Sequence, residues 1–191
     1  MSRGTARTMI ESMGEGLRVR RDGMIRSRPA GSLERHFDFG AGPARGVAMP
    51  WGDVSTAFHS TGIPNVEVYF ILSGPIPGLL KASRFLAPLL RQPFVQRFLK
   101  ARVDALPEGP SETERASSRA TLLAEAEAPG EKTARTMLET PNGYTLTFQA
   151  AVEIAARVVR GEAPTGFHTP SSAFGADFVL ELPDCVRTDL D

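Results

Sequence analysis

Polar and apolar positions alternate from Leu17 to Arg28, and the alternation breaks once, at Asp22-Gly23. Two residues that tolerate positive φ between two alternating segments predict a tight β-hairpin. Upstream, Met9, Ile10 and Met13 stand at helical spacing in Arg7 to Met13, with Gly14 and Gly16 where a helix would stop. Two extended segments, His36 to Phe39 and Gly46 to Met49, flank the turn-forming Gly40-Ala-Gly-Pro43. Asn65 to Leu72 has the strongest strand pattern, because five of its eight residues are β-branched or aromatic, and it is expected inside a sheet.

From Gly78 to about Leu106, Leu79, Leu80, Leu86, Leu89, Leu90, Val95, Phe98, Leu99 and Val103 recur at spacings of three and four. Pro88 and Pro93 interrupt them, which predicts two or three helical pieces. Pro107 to Ser118 reads as an exposed loop with a helix start at Ser111-Glu-Thr-Glu114. Ala120 to Glu127 and Lys132 to Glu139, around Ala128-Pro-Gly-Glu131, read as a second hairpin. Thr145 to Arg160 reads as an amphipathic helix with Thr145 or Thr147 near its start and Gly161 as its stop, and Ala173 to Leu182 ends in the apolar Phe178-Val-Leu180. With no repeat and no linker, the expectation is one domain over 1–191, with 75–106 a helical excursion and 145–182 a C-terminal helix and strand. The expected class is α+β, a mixed, largely antiparallel sheet covered by helices.

Charge narrows the function. The 22 basic side chains balance the 22 acidic ones, so overall charge gives no drive toward nucleic acid, and no nucleic-acid partner is expected. The lone Cys185 excludes an intrachain disulfide framework and a cysteine-built zinc site. It sits beside Asp184 with no neighbour to lower its pKa, so a nucleophilic role is poorly supported. No run of 18 apolar residues is present and the N-terminus lacks an apolar signal core, so the expected setting is cytoplasmic.

Gly40, Gly42 and Gly46 invite comparison with a dinucleotide fingerprint, but the spacing is wrong and the following segment reads as extended. No phosphate-binding loop is present. His36, His59 and His168 are scattered, with no partner at metal-ligand spacing, so no metal is expected. Trp51-Gly-Asp-Val-Ser-Thr-Ala-Phe-His-Ser-Thr-Gly62 is different: it gathers hydroxyls, the only tryptophan, a carboxylate and an imidazole before the strongest strand. Two readings stand: Asp53, Ser55 and Thr56 cap a helical turn with His59 in a structural hydrogen bond, or the segment faces a substrate. A triad of Ser60, His59 and Asp53 lacks the nucleophile elbow. Lys81, Arg84, Arg91, Arg97, Lys100 and Arg102 run with no acid until Asp104, which fits either a docked helix with a solvated basic face or association of 78–106 with acyl lipid or an anionic membrane.

Five stretches together resemble the saccharopine dehydrogenase-like oxidoreductases, most closely the branch with the trans-acting enoyl reductases of polyketide-lipid synthesis. They are Gly4-Thr-Ala-Arg-Thr-Met-Ile-Glu11, Pro50-Trp-Gly-Asp-Val-Ser-Thr-Ala-Phe-His-Ser-Thr-Gly-Ile-Pro-Asn-Val-Glu-Val-Tyr69, Gly109-Pro-Ser-Glu112, Gly143-Tyr-Thr-Leu-Thr147 and Thr169-Pro-Ser-Ser-Ala-Phe-Gly-Ala-Asp-Phe-Val-Leu180. Members begin with a Rossmann domain that binds NAD(P), and this chain starts where that domain ends. The resemblance therefore implies the substrate-binding and dimerisation half, a Rossmann-domain partner, a homo-oligomer, and a helix near 145–160 packed toward the nucleotide domain. Side-chain chemistry within the matched segment makes His59 the candidate proton donor and Trp51, Asp53, Ser60 and Tyr69 the candidate substrate-binding residues. NAD(P) is implied by the resemblance, with no binding motif in the chain itself. The alternatives are a non-catalytic lipid- or membrane-associating module, or a truncated remnant with an exposed, aggregation-prone interface.

Overall fold

A computed structural model describes residues 2–11, 15–72, 74–105, 108–130 and 133–190, and the backbone alone of Arg84. The fold is α+β, and every strand pairing among the described residues is antiparallel. The chain divides into two compact units, Met1–Pro110 and Ser111–Asp191. The boundary falls in the Gly109-Pro110 loop.

The first unit opens with α1 (Arg3–Glu11), which buries Ala6 and Ile10; Met13 and Gly14, expected at its end, lie outside the described residues. The hairpin follows as expected, β1 (Leu17–Arg21) on β2 (Met24–Arg28), with Asp22 at φ 51° and Gly23 at φ 74°. Two consecutive residues at positive φ make the primed turn that matches strand twist. A three-stranded sheet is built from β3 (Glu34–Asp38), β4 (Pro43–Ala48) and β5 (Tyr69–Ile71), with β4 central. Between β4 and β5 runs α2 (Asp53–Thr61), closed by Gly62 in the left-handed region.

The expectation for Asn65 to Leu72 is corrected: only Tyr69–Ile71 is strand, and it lies at the sheet edge. Its backbone is divided between two neighbours. Pro64 O accepts from Gly23 N, Asn65 Oδ1 accepts from Asp22 N, and Val66 exchanges both backbone bonds with Arg20. Val68 O then accepts from Met49 N, and β5 pairs with β4. Donors and acceptors used on β1 are not free to lengthen a ladder on β4.

Leu17, Val19 and Ala48 form one buried cluster with Leu33 and Tyr69 against it, while Ala6, Ile10 and Val103 form another with Leu99. The helical excursion is two helices, α3 (Ile76–Leu90) and α4 (Pro93–Asp104). Pro88 does not break α3, although it lies inside the helix and removes the backbone bond to the carbonyl four residues back. Pro93 occupies the first turn of α4, where its missing N–H would be unpaired anyway.

The second unit starts with α5 (Glu112–Ser117), whose Ser111 and Glu114 close a capping box. The hairpin of β6 (Arg119–Ala126) and β7 (Ala134–Pro141) is present, its Glu131 and Lys132 lying outside the described residues. β8 (Val186–Leu190), which the pattern did not signal, pairs with β7. α6 (Gly143–Val159) begins two residues before Thr145 because Asn142 is its cap, with Oδ1 accepting from Tyr144 N at 3.0 Å. After the short α7 (Pro170–Phe174), the apolar run expected as a strand is a 3-10 turn over Phe178–Glu181 that buries Phe178.

Candidate functional site

The segment from Trp51 to Tyr69 is organised by a residue that sequence reasoning missed. Arg20 leaves β1 on the side opposite Val19 and is only 6% exposed. Its Nε donates to Val54 O at 2.8 Å, one terminal nitrogen donates to Gly23 O, and the guanidinium lies over the Phe58 ring, 4.2 Å from its centre. One cation thus ties the hairpin turn, the start of α2 and an aromatic face together. Nothing in the alternation marks Arg20, since burial on both faces of β1 becomes visible only once α2 covers it.

The five candidates occupy three separate settings. Trp51, 44% exposed, sets its ring against Phe70 at a tilt of 56° with centres 4.9 Å apart. The Tyr69 hydroxyl donates to Glu67 at 2.6 Å, Glu67 is paired with Arg21, and the Tyr69 ring meets Phe37 at 5.1 Å. Burial, and then the Glu67 carboxylate, push the Tyr69 hydroxyl well above the usual phenol range, so it stays protonated and acts as a donor. Asp53 is the first residue of α2 and His59 lies six residues later, about 9 Å along the axis. His59 is exposed with its ring edge against Phe58 at 5.9 Å, and the neighbouring Ser60 hydroxyl returns to Thr56 O at 3.0 Å. The helix cap is Gly52, with no side-chain capping bond.

The Gly40–Gly46 turn does not form a dinucleotide cradle. Gly40 and Gly42 turn a hairpin between β3 and β4, and both amides donate to Asp38 Oδ1, at 2.8 and 3.1 Å. A strand follows rather than a helix, so no amide cradle at a helix N-terminus faces a pyrophosphate there. Among the described residues no group of three or more His, Cys, Asp or Glu side chains is gathered as a metal site would need. An open cleft of about 500 Å³ is lined by Glu11, Glu15, Arg18, Arg91, Gln96 and Lys100. Its charges largely serve one another: Lys100 pairs with Glu11 at 2.7 Å and Arg18 with Glu15 at 3.2 Å.

The other departure from an ordinary domain is in the second unit. α6 has 17 residues and buries none of them. Its outward side carries Tyr144, Phe148, Ala151, Val152, Val158 and Val159, with Phe148 70% and Val159 88% exposed. The inward side carries the charges, Arg157 pairing with Glu153 and Glu181 and lying over Phe174 and Phe178. Leu146, Ala150 and Ile154 share that inward side, so α6 is apolar on both sides, with its charges on the covered one, unlike a helix that turns a polar face to solvent. No family model, curated protein or solved structure matches this chain. No helix among the described residues is long and apolar enough to cross a membrane.

Proposed function

We propose that the chain is the substrate-side and subunit-contact half of a cytoplasmic NAD(P)-dependent oxidoreductase of the saccharopine dehydrogenase-like kind, dependent on a dinucleotide-binding domain supplied as a partner. The observation that carries this reading is the outward apolar stripe of α6. Tyr144, Phe148, Ala151, Ala155 and Val158 follow one another at steps of four, three, four and three, the spacing of a seam that packs against another helix. Fully burying each large member would contribute about 1.5–3 kcal/mol. The resemblance assigns this helix to the contact with the nucleotide domain. Hydride transfer then depends on the partner, while this chain holds the substrate, with Trp51, Asp53, Ser60 and Tyr69 on its substrate side and His59 as proton donor.

The test is NAD(P)H titration calorimetry on the chain alone and mixed with a Rossmann-domain protein encoded immediately upstream. Binding only in the mixture is expected, as is loss of the complex in Phe148→Glu. Turnover or substrate affinity should fall in His59→Ala of the reunited enzyme. Cofactor binding by the chain alone, or none in the mixture, overturns the reading.

A further inference from the structure

We propose that the successive helices α3 and α4 dock on an anionic lipid bilayer. On a helix docked to its own domain, the exposed positions are polar. α3 reverses this: among the residues of Ile76–Leu90 whose side chains are described, every exposed one is apolar, and Leu79, Ala82, Phe85, Leu86 and Leu89 form one outward stripe with Phe85 73% exposed. Leu80 and Ala87 face the other way and are partly covered, and Lys81, to one side, reaches Glu34 at 2.9 Å. Among the described side chains, the side that faces solvent is therefore as apolar as the side that faces the domain.

α4 repeats the pattern with cations at the rim. Phe94, Phe98 and Ala101 form its outward stripe, with Arg97 on one flank and Arg102 on the other. The Arg102 guanidinium lies 5.4 Å from the centre of the Phe98 ring. Apolar stripes bordered by long basic side chains are what an in-plane interfacial helix presents: the rings enter the acyl boundary while the guanidinium groups remain at headgroup level.

Charge selects the occupant. From Ile76 to Val103 the chain holds six cations and no acidic residue; Lys81 and Lys100 are paired with Glu34 and Glu11, while Arg97 and Arg102 are exposed beside the outward stripe of α4. A second copy docked on the same face would bring like charges together, whereas an anionic headgroup layer complements them. A bilayer also needs no shape-matched groove, and two outward stripes on successive helices offer none. This inference does not rest on the observation that carries the oxidoreductase reading, the α6 stripe, which belongs to the other unit.

The test is flotation of the whole chain with phosphatidylcholine vesicles, with and without phosphatidylglycerol as a minor component, at low and raised salt. Binding to the phosphatidylglycerol vesicles that weakens with salt is expected. Phe85→Ser with Phe98→Ser should lower partitioning about tenfold or more, and Arg97→Glu with Arg102→Glu should do the same. All four positions are exposed, so the variants should fold, which circular dichroism checks. Phe148→Ser, on the apolar stripe of α6, should float like the unaltered chain.

Absence of binding at low salt overturns the proposal, as does equal binding to neutral vesicles or an equal loss in Phe148→Ser. A concentration-dependent dimer that Phe85→Ser with Phe98→Ser disperses, without vesicle binding, gives the face to a second copy and also overturns it. NAD(P)H titration in the absence of lipid is unaffected by either result, so the two readings fail separately.

Discussion

Arg20→Met keeps the aliphatic stem of the buried arginine and removes its donors. Two backbone carbonyls, Val54 O and Gly23 O, then lose charge-assisted partners inside the first unit, and the Phe58 face loses its cation. Each hydrogen bond to a charged group contributes about 1.5–3 kcal/mol and a desolvated cation on an aromatic face up to about 2 kcal/mol. Against this stands the relief of a guanidinium held away from water, worth several kcal/mol by itself. The net expectation is a destabilisation of about 2–3 kcal/mol. Trp51, the only tryptophan, belongs to the same unit, so its fluorescence during urea unfolding reports on that unit. The midpoint should fall by about 1–2 M with an unchanged slope. A midpoint shift equivalent to less than about 0.5 kcal/mol would refute the assignment of Arg20 as the tie between the hairpin and α2.

Glu34 is held below the usual carboxylate range, first by its hydrogen bonds from Arg45 and then by Lys81. Because the folded value lies below the unfolded one near 4.5, its stabilisation is present above that pH and is lost as pH falls through the folded value. In Glu34→Gln, urea midpoints should therefore be lower than those of the unaltered chain at neutral pH and converge with them in acid; a constant gap across the titration rejects this. Burial, and then Asp184, push the Cys185 thiol above its ordinary value. Alkylation of Cys185 by iodoacetamide at mildly alkaline pH should be slower than that of a free cysteine peptide, and unfolding in urea should remove the difference.

Local chemistry made parts of the fold legible. Asp22-Gly23 specifies a hairpin because few other residue pairs accept two consecutive positive φ values, and Ser111 with Glu114 specifies a helix start because each side chain satisfies the other's backbone. Direction was not legible. Spacings of three and four locate a stripe at Leu79, Leu86 and Leu89, but periodicity is indifferent to whether the stripe turns inward or outward, and here it turns outward. The length of β5 was hidden for another reason: β propensity describes how a segment fits a pleated surface, not how many partners compete for its backbone. The candidate site was legible as a segment and not as an assembly. Trp51 and Tyr69 found Phe70 and Phe37, pairings that do not follow from spacing along the chain, while His59 meets only its sequence neighbour Phe58.

The two small buried clusters of the first unit have a consequence for motion. α4 is fastened chiefly to α1, through Ala6, Ile10, Val103 and Leu99, the Arg7–Asp104 and Lys100–Glu11 pairs, and the Gln96 bond to Ile10 O. The hairpin cluster of Leu17, Val19 and Ala48 shares no member with it. α1 and α4 can therefore open together while the strands stay closed, as one cooperative unit of low local stability. In hydrogen exchange the amides of the two helices should lose protection in step and ahead of β1. The segment that bears the Phe94 and Phe98 stripe would then have a latch of its own, releasable without unfolding the strands.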